Sequence, residues 1–322
     1  MKKISLTILS ATALLAAFSG RTATAQETPD FTVGICQYEQ HEALDAATRG
    51  FQDALIEELG DQVQFDLQNA QGDYATCATI LNSFLTEDVD LILANATAPL
   101  QAAATATAKI PILGTSVTDY SEALQLSEFD GILGNNISGT SDLAPLNEQA
   151  AMIKELFPDA KTIGILYSSS EPNSQYQVQV VSEELERLGY ACKLYSFSDS
   201  NDLSPSALTA ASECDALYVP TDNAIASNAE LVANVCIPQG IPVIAGEENT
   251  CRICGVATLS INYYDLGRTT GEMAARILTG SEDISAMPIE YTTEFTKRYN
   301  KTICEKLGIQ IPEGYEPLEE LS

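Results

Sequence analysis

The sequence predicts an α/β fold of two doubly wound, parallel-sheet lobes. Short β-prone runs alternate with segments of helical apolar spacing, and the same order of strand, helix and glycine begins twice along the chain. Alternation with short connections is typical of parallel pairing, and right-handed crossovers then place helices on both faces of each sheet. Two such lobes facing each other leave a cleft at the carboxyl ends of their strands, where open α/β sheets bind ligands.

The first half of the pattern begins with a β-prone strand, Phe31–Cys36. The helix Ala43–Leu59 follows because its apolar residues recur at helical spacing, and Gly60 ends it. The remaining predicted elements of this half alternate between strand and helix: Val63–Leu67, Tyr74–Leu85, Leu91–Ala94, Leu100–Ala108 and Ile112–Leu113.

The second half repeats this rhythm from the strand Thr162–Tyr167 onward. Between the halves, the Gly- and Asn-rich segment 134–139 has the composition of a hinge. The predicted elements that follow are the helix Ser174–Leu188, the strands Ala191–Phe197 and Ala216–Val219, the helix Ala224–Val235, the strand Val243–Ala245 and the helix Tyr264–Leu278.

The first 25 residues have the pattern of a signal peptide. Lys2 and Lys3 precede the apolar run Ile4–Phe18, and the small residues 23–25 form a cleavage site that ends at Ala25. Arg21 stands where a bacterial lipoprotein would carry its acylated cysteine. We therefore expect a secreted or periplasmic protein, cleaved near Ala25 and without a lipid anchor.

The charge of the chain excludes some partners. Its 45 acidic and 16 basic residues give a formal net charge of −29. Such a surface repels nucleic acid and anionic lipid. We expect a monomer that binds no nucleic acid and carries neither a metal nor a cofactor.

Eight cysteines are unusual for an exported chain unless some of them are paired. The CxxC segment 251–254 has three interpretations: a small disulfide, free thiols, or a redox or metal site. The candidate pairs are Cys251–Cys254 by proximity, Cys192–Cys214 because both lie near strand starts, and Cys36–Cys77 at the cleft end of the first lobe; Cys236 and Cys304 stay unassigned.

Several short motifs, in order along the chain, match one family. They include the segments 34–37, 41–46, 68–73, 90–97, 158–164, 170–174, 218–223, 245–248 and 263–267. Together they resemble the extracytoplasmic substrate-binding proteins of ABC importers, in the group with the type I periplasmic-binding-protein fold that includes tryptophan and tyrosine binders. Arg21 and the cysteine content depart from that family pattern.

The resemblance implies two lobes joined by a three-segment hinge. It places residues 26–137 and 261–287 in lobe one, and residues 138–260 and 288–322 in lobe two. It also implies capture of a small molecule, an amino acid or related compound, by closure of the lobes, and delivery to ABC permease subunits. No catalysis is expected.

Polar residues that follow the strands of lobe one are candidates for binding the ligand. Thr97 begins a helix whose free N–H groups suit a carboxylate, or it simply caps that helix. The candidates in this lobe are Gln37, Tyr38, His41, Asn69, Asn95, Thr97, Ser116 and Thr118.

Lobe two offers carboxylates that suit an ammonium group. Asp222 has two interpretations, as the partner of the ligand's ammonium or as a helix cap. The candidates in this lobe are Ser168, Asn173, Thr221, Asp222, Asn223 and Glu247.

Two other functions remain open at this stage. A ligand-sensing module without transport would have the same fold and the same cleft. A hydrolase could use Asp222 with Glu247 or Glu248 as a carboxylate pair. The sequence has no Gly-x-Ser-x-Gly nucleophile elbow and only one histidine, which argues against an enzyme.

Overall fold

The computed structural model describes residues 29–318. The predicted signal peptide, Arg21 and the cleavage site at Ala25 lie outside the described residues. The strands are β1 Phe31–Gln37, β2 Val63–Asn69, β3 Leu91–Asn95, β4 Ile112–Val117, β5 Ile137–Ser141, β6 Thr162–Ser168, β7 Ala191–Phe197, β8 Ala216–Val219, β9 Val243–Ala245, β10 Ala257–Ser260, β11 Ile289–Tyr291, β12 Thr296–Tyr299 and β13 Glu316–Pro317.

Helices connect most of these strands, as the alternation predicts. They are α1 Glu42–Leu59, α2 Tyr74–Glu87, α3 Thr97–Ala106, α4 Tyr120–Leu124, α5 Leu146–Leu156, α6 Pro172–Arg187, α7 Ser200–Glu213, α8 Asn223–Ala226, α9 Ala229–Gln239, α10 Glu248–Cys254, α11 Tyr263–Leu278 and α12 Lys301–Leu307. The single predicted helix Ala224–Val235 is divided into α8 and α9.

The strands form two sheets, one for each lobe. The first has the order β11-β5-β4-β3-β1-β2 and the second the order β13-β12-β10-β9-β8-β6-β7. All neighbouring pairs are parallel except β10 with β12, which is antiparallel. The predicted α/β class with two parallel-sheet lobes is therefore confirmed.

The chain passes between the sheets three times, after β5, β10 and β11. Two of the predicted boundaries, 137/138 and 287/288, fall a few residues early. β5 pairs with β4, and β11 pairs with β5, so both strands extend the edge of the first sheet. The Ser138 hydroxyl also donates to the Met287 carbonyl oxygen at 3.2 Å, which joins β5 to the segment that leads into β11.

Two helices of the first lobe approach each other closely through glycine. A Cβ added to Gly267 of α11 would collide with the carbonyl oxygen of Ala47 in α1, and one added to Gly50 of α1 would collide with the carbonyl of Tyr264. The close approach fixes α11, which begins at the hinge, against the helix that follows β1.

All eight cysteines are free thiols in the structure. The pair Cys192–Cys214 is wrong, because β7 and β8 lie on opposite sides of β6. The Cys214 sulfur lies beside the Tyr195 hydroxyl, and Tyr195 and Cys192 point to opposite faces of β7, so the two thiols lie on opposite sides of the sheet. The sequence could not show that a third strand lies between them.

The other two candidate pairs lie closer together. Cys251 and Cys254 both belong to α10, as buried thiols. Cys36 and Cys77 share the core of the first lobe, where the interaction between their thiols raises the pKa of Cys36 and lowers that of Cys77. A bond between Cys36 and Cys77 stays a prediction.

Within residues 29–318, none of the helices combines the length and the apolar character that crossing a bilayer requires. The same part of the chain contains no group of three or more His, Cys, Asp or Glu side chains arranged to hold a metal ion.

The contact between α1 and α11 leads to a test of stability. Gly267→Ala should lower the free energy of unfolding by about 1–3 kcal/mol or more, because the added methyl group forces two backbones apart. Glu272→Ala, on the exposed side of α11, should change it by less than about 0.5 kcal/mol. Urea denaturation of both variants measures the difference, and an equal effect would show that the helices separate at little cost.

Candidate functional site

A cavity lies between the lobes, at the carboxyl ends of strands from both sheets. With the lobes closed, its volume is only ≈ 10 Å³. Eight of the residues predicted from the sequence line it: His41, Ser116, Thr118, Asn173, Thr221, Asp222, Asn223 and Glu247. Five further residues complete the lining: Ala43, Leu44, Asp142, Ala226 and Tyr263.

Gln37 and Asn95, two of the predicted residues, belong to a buried network beside the cavity. The Asn95 side chain donates to the carbonyl of Leu44 and to the Thr48 hydroxyl, which in turn donates to Gln37. These bonds hold the first turns of α1 against β1 and β3. Neither side chain lines the cavity, so their role is to position α1 and His41 just before it.

The other four predicted residues also lie outside the cavity lining. Tyr38 donates to the Gly72 carbonyl, and Asn69 accepts from the backbone N–H of Gln71. The Ser168 hydroxyl pairs with that of Ser170. Thr97 is the first residue of α3, and Ala96 occupies the cap position instead.

Asp142 is the carboxylate with an unused bonding capacity. It follows β5 at the first crossover, and its Oδ2 accepts from the Tyr263 hydroxyl at 2.8 Å. Its Oδ1 is buried and has no hydrogen-bond partner among the described residues. Burial raises the pKa of Asp142, and the neighbouring charge of Glu247 adds to the increase.

Ser116 presents a second unpaired polar atom to the cavity. The β4–β5 register shifts between Gly114 and Val117, and Ser116 adopts a left-handed φ of 54°. A bulge of this kind turns a side chain away from the regular alternation of the strand. The Ser116 hydroxyl is buried and finds no partner within the described protein.

The carboxylate of Asp222 is fully occupied by donors of its own lobe. It caps α8 by accepting from Ile225 N at 2.9 Å, and its second oxygen accepts from Ser168 N at 2.7 Å and from the Ser174 hydroxyl at 2.8 Å. Burial raises its pKa well above the usual range, and repulsion from Glu171 adds to this. These contacts favour the capping interpretation.

Glu247 has the same arrangement at the start of α10. Its two oxygens accept from the backbone N–H groups of Asn249 and Thr250. A hydrolytic pair of Asp222 and Glu247 therefore gains no support, because helix N-termini already hold both groups. Glu248 points elsewhere and forms an ion pair with Arg252.

The lobes are closed over the cavity. His41 of lobe one and Asn223 of lobe two are joined by a hydrogen bond of 3.1 Å. The Ser227 hydroxyl of lobe two donates to Glu39 of lobe one at 2.7 Å. The two bonds lie at the mouth of the cavity and bridge the cleft directly.

A larger groove opens beside the hinge and shares Ala43, Glu247 and Tyr263 with the cavity. Its volume is ≈ 890 Å³, and it is open to solvent. Its three arginines, Arg49, Arg252 and Arg298, form ion pairs with glutamates. The unpaired buried atoms of Asp142 and Ser116 belong to the smaller cavity, which we take as the ligand site.

Asp142 and Tyr263 are missing from the residues predicted from the sequence. Segment 134–139 has the composition of a hinge, so the strand β5 and the aspartate at its end were not expected. Asp142 is an acidic residue just after a strand, as Asp222 is, and this pattern could have identified it. Tyr263 belongs to a family motif but was not among the predicted site residues.

Comparison with known proteins gives a consistent result. The family model described as ABC transporter substrate binding protein matches residues 32–316. A tyrosine-binding protein of Clostridioides difficile is 35% identical over 281 residues, which cover 86% of this chain and 81% of that protein.

Solved structures add information on conformation. A Streptococcus pneumoniae ABC domain in complex with L-Trp is 32% identical, covers 88% of this chain and 96% of its own, and has a TM-score of 0.84. A substrate-binding protein with adhesive properties from Clostridium difficile, in its ligand-free, open structure, is 35% identical. The match covers 90% of this chain and 100% of that chain, with a TM-score of 0.69. The TM-score is higher for the L-Trp complex than for the open structure, which agrees with the closed lobes of this chain.

The contacts of Asp222 generate a prediction on stability. Asp222→Ala should lower the free energy of unfolding by about 3 kcal/mol or more, because it leaves three donors unmatched in a buried place. Asp73→Ala removes the exposed cap of α2 and should cost about 1 kcal/mol. Urea denaturation separates the two; equal losses would show that Asp222 acts only as an ordinary cap.

Proposed function

This chain belongs to the family of ABC transporter substrate-binding proteins, and we propose that it captures an amino acid by holding the ligand's ammonium group on Asp142. Proteins of this family act outside the cytoplasmic membrane, bind small molecules and typically deliver them to ABC permeases. The observation that carries the proposal is the buried Oδ1 of Asp142, which has no hydrogen-bond partner in the described protein.

The charges of the cavity favour a ligand with an amine. Three carboxylates line it, from Asp142, Asp222 and Glu247, and its lining contains neither lysine nor arginine. A buried carboxylate without a counter-charge is costly, and a charge-assisted hydrogen bond from an ammonium would remove much of that cost. Since helix N-termini already satisfy the other two acids, Asp142 is the group with capacity left.

The carboxylate of an amino acid ligand would lie near hydroxyl groups. The unpaired hydroxyl of Ser116 and the side chain of Thr118 line the cavity on the side of lobe one, after β4. Hydroxyls donate to a carboxylate without adding charge. Relatives described as tyrosine-binding and as complexed with L-Trp support an aromatic amino acid as the ligand class.

We also propose that the protein is exported as a monomer and cleaved after Ala25, as the signal-peptide pattern of the first 25 residues suggests. N-terminal sequencing of the exported protein should find Gln26 as the first residue. An intact Met1 or a lipid-modified N-terminus would contradict the proposal.

Asp142→Asn should weaken binding of L-tyrosine or L-tryptophan by a hundredfold or more. Loss of one partner of a buried charge pair costs about 3–5 kcal/mol. Asp90→Asn is the matched control, since Asp90 accepts from Thr32 N at the start of β1, outside the cavity lining. Calorimetric titration measures both; unchanged affinity in Asp142→Asn would place the amine elsewhere.

The affinity of the unmodified protein should also fall as the pH is lowered. Because burial raises the pKa of Asp142, the free protein protonates this carboxyl at a higher pH than an ordinary aspartate does. An ammonium gains its full attraction only from the ionised form, so the loss should begin above the ordinary value of 3.8. The same titrations in Asp142→Asn should lack this component.

A further inference from the structure

His41 is the only histidine of the chain, and it faces the cavity at the point where the lobes meet. It stands just before α1 without capping that helix through its side chain. Its Nε2 lies 3.1 Å from Asn223 Oδ1. Its Nδ1 is buried and has no hydrogen-bond partner in the described residues.

The orientation of Asn223 is determined by Glu171. The Glu171 carboxylate accepts from Asn223 Nδ2 at 2.6 Å, and also from the backbone N–H groups of Asn223 and Ala224 and from the Asn173 amide. Because an ionised carboxylate only accepts hydrogen bonds, the Asn223 amide must turn its NH₂ group toward Glu171. The carbonyl oxygen of the Asn223 amide therefore points toward His41.

This orientation in turn determines the tautomer of His41. Because Asn223 Oδ1 can only accept, His41 Nε2 must carry the hydrogen of their shared bond. In the neutral ring, Nδ1 is then a bare, buried acceptor on a residue that lines the cavity. The contacts from Glu171 through Asn223 to His41 therefore leave His41 Nδ1 as an acceptor without a donor among the described residues.

We propose that His41 Nδ1 accepts a hydrogen bond from an N–H or O–H group in the ligand's side chain, and so selects tyrosine or tryptophan over phenylalanine. This inference rests on the proposed capture of an amino acid. We assign the ammonium to Asp142, and a side-chain O–H or N–H group of the ligand supplies the donor for His41. The apolar residues of the lining, Ala43 and Leu44 in lobe one and Ala226 in lobe two, offer contact to a ring.

Affinities for three amino acids test the selection. In the unmodified protein, L-tyrosine should bind about 10- to 100-fold more tightly than L-phenylalanine, because phenylalanine leaves a buried acceptor unpaired. In His41→Leu the ratio should fall to within about threefold, whereas L-tryptophan should behave as L-tyrosine does in both proteins.

Ser227→Ala is the matched control for loss of a contact between the lobes. It removes the Glu39–Ser227 bond at the same mouth and leaves His41 in place. Its affinities for all three amino acids should fall together, with the tyrosine to phenylalanine ratio unchanged. A merely structural role for His41 would make His41→Leu behave in this same way and would overturn the inference.

A ¹⁵N NMR spectrum of the histidine-labelled protein gives a second readout, because one imidazole supplies all the signals of the natural chain. In the L-tyrosine complex we expect a protonated Nε2 and an unprotonated Nδ1. A proton on Nδ1, or equally tight binding of tyrosine and phenylalanine, would overturn this inference and leave the proposed function intact. If none of the three amino acids binds, the proposed function fails, and this inference fails with it.

Discussion

The structure of the cleft depends on how the protein stabilises carboxylates that it buries. Asp222 and Glu247 lie at the amino ends of short helices, α8 and α10, where free backbone N–H groups and the helix dipole favour negative charge. Glu171 is held by side-chain amides and two backbone N–H groups. These acids therefore serve as internal ligands of their own lobe, and they form a rigid polar wall.

Asp142 differs because it lies at a crossover and not at a helix start. The Tyr263 hydroxyl, from the second crossover, donates to its Oδ2, and Thr118 also lies close enough to lower its pKa. The two residues belong to different segments of the hinge, so the group that we assign to the ligand's amine is held where the lobes rotate. The like charge of Glu247 adds to the cost of leaving Asp142 without a counter-charge.

Much of the fold and part of the site could be predicted from the sequence, because both depend on local patterns. Alternating strands and helices gave the two lobes, and polar residues after strands gave most of the cavity lining. Long-range order could not be predicted in the same way. β6 lies between β7 and β8, which separates Cys192 from Cys214, and the bulge that turns Ser116 inward depends on pairing with β5.

Closure of the lobes can be understood from the same balance of charges. A ligand shifts a conformational equilibrium only by the difference in its affinity for the two states. An ammonium beside Asp142 interacts far more strongly in the closed state, where water is excluded, than in an open cleft. The mouth contacts, Glu39 with Ser227 and His41 with Asn223, are available with or without a ligand, and each exchanges bonds to water for bonds to protein at little net gain. The difference in the free energy of closure between the empty and the filled cleft must therefore come from the cavity itself, where the ligand supplies the counter-charge that Asp142 lacks.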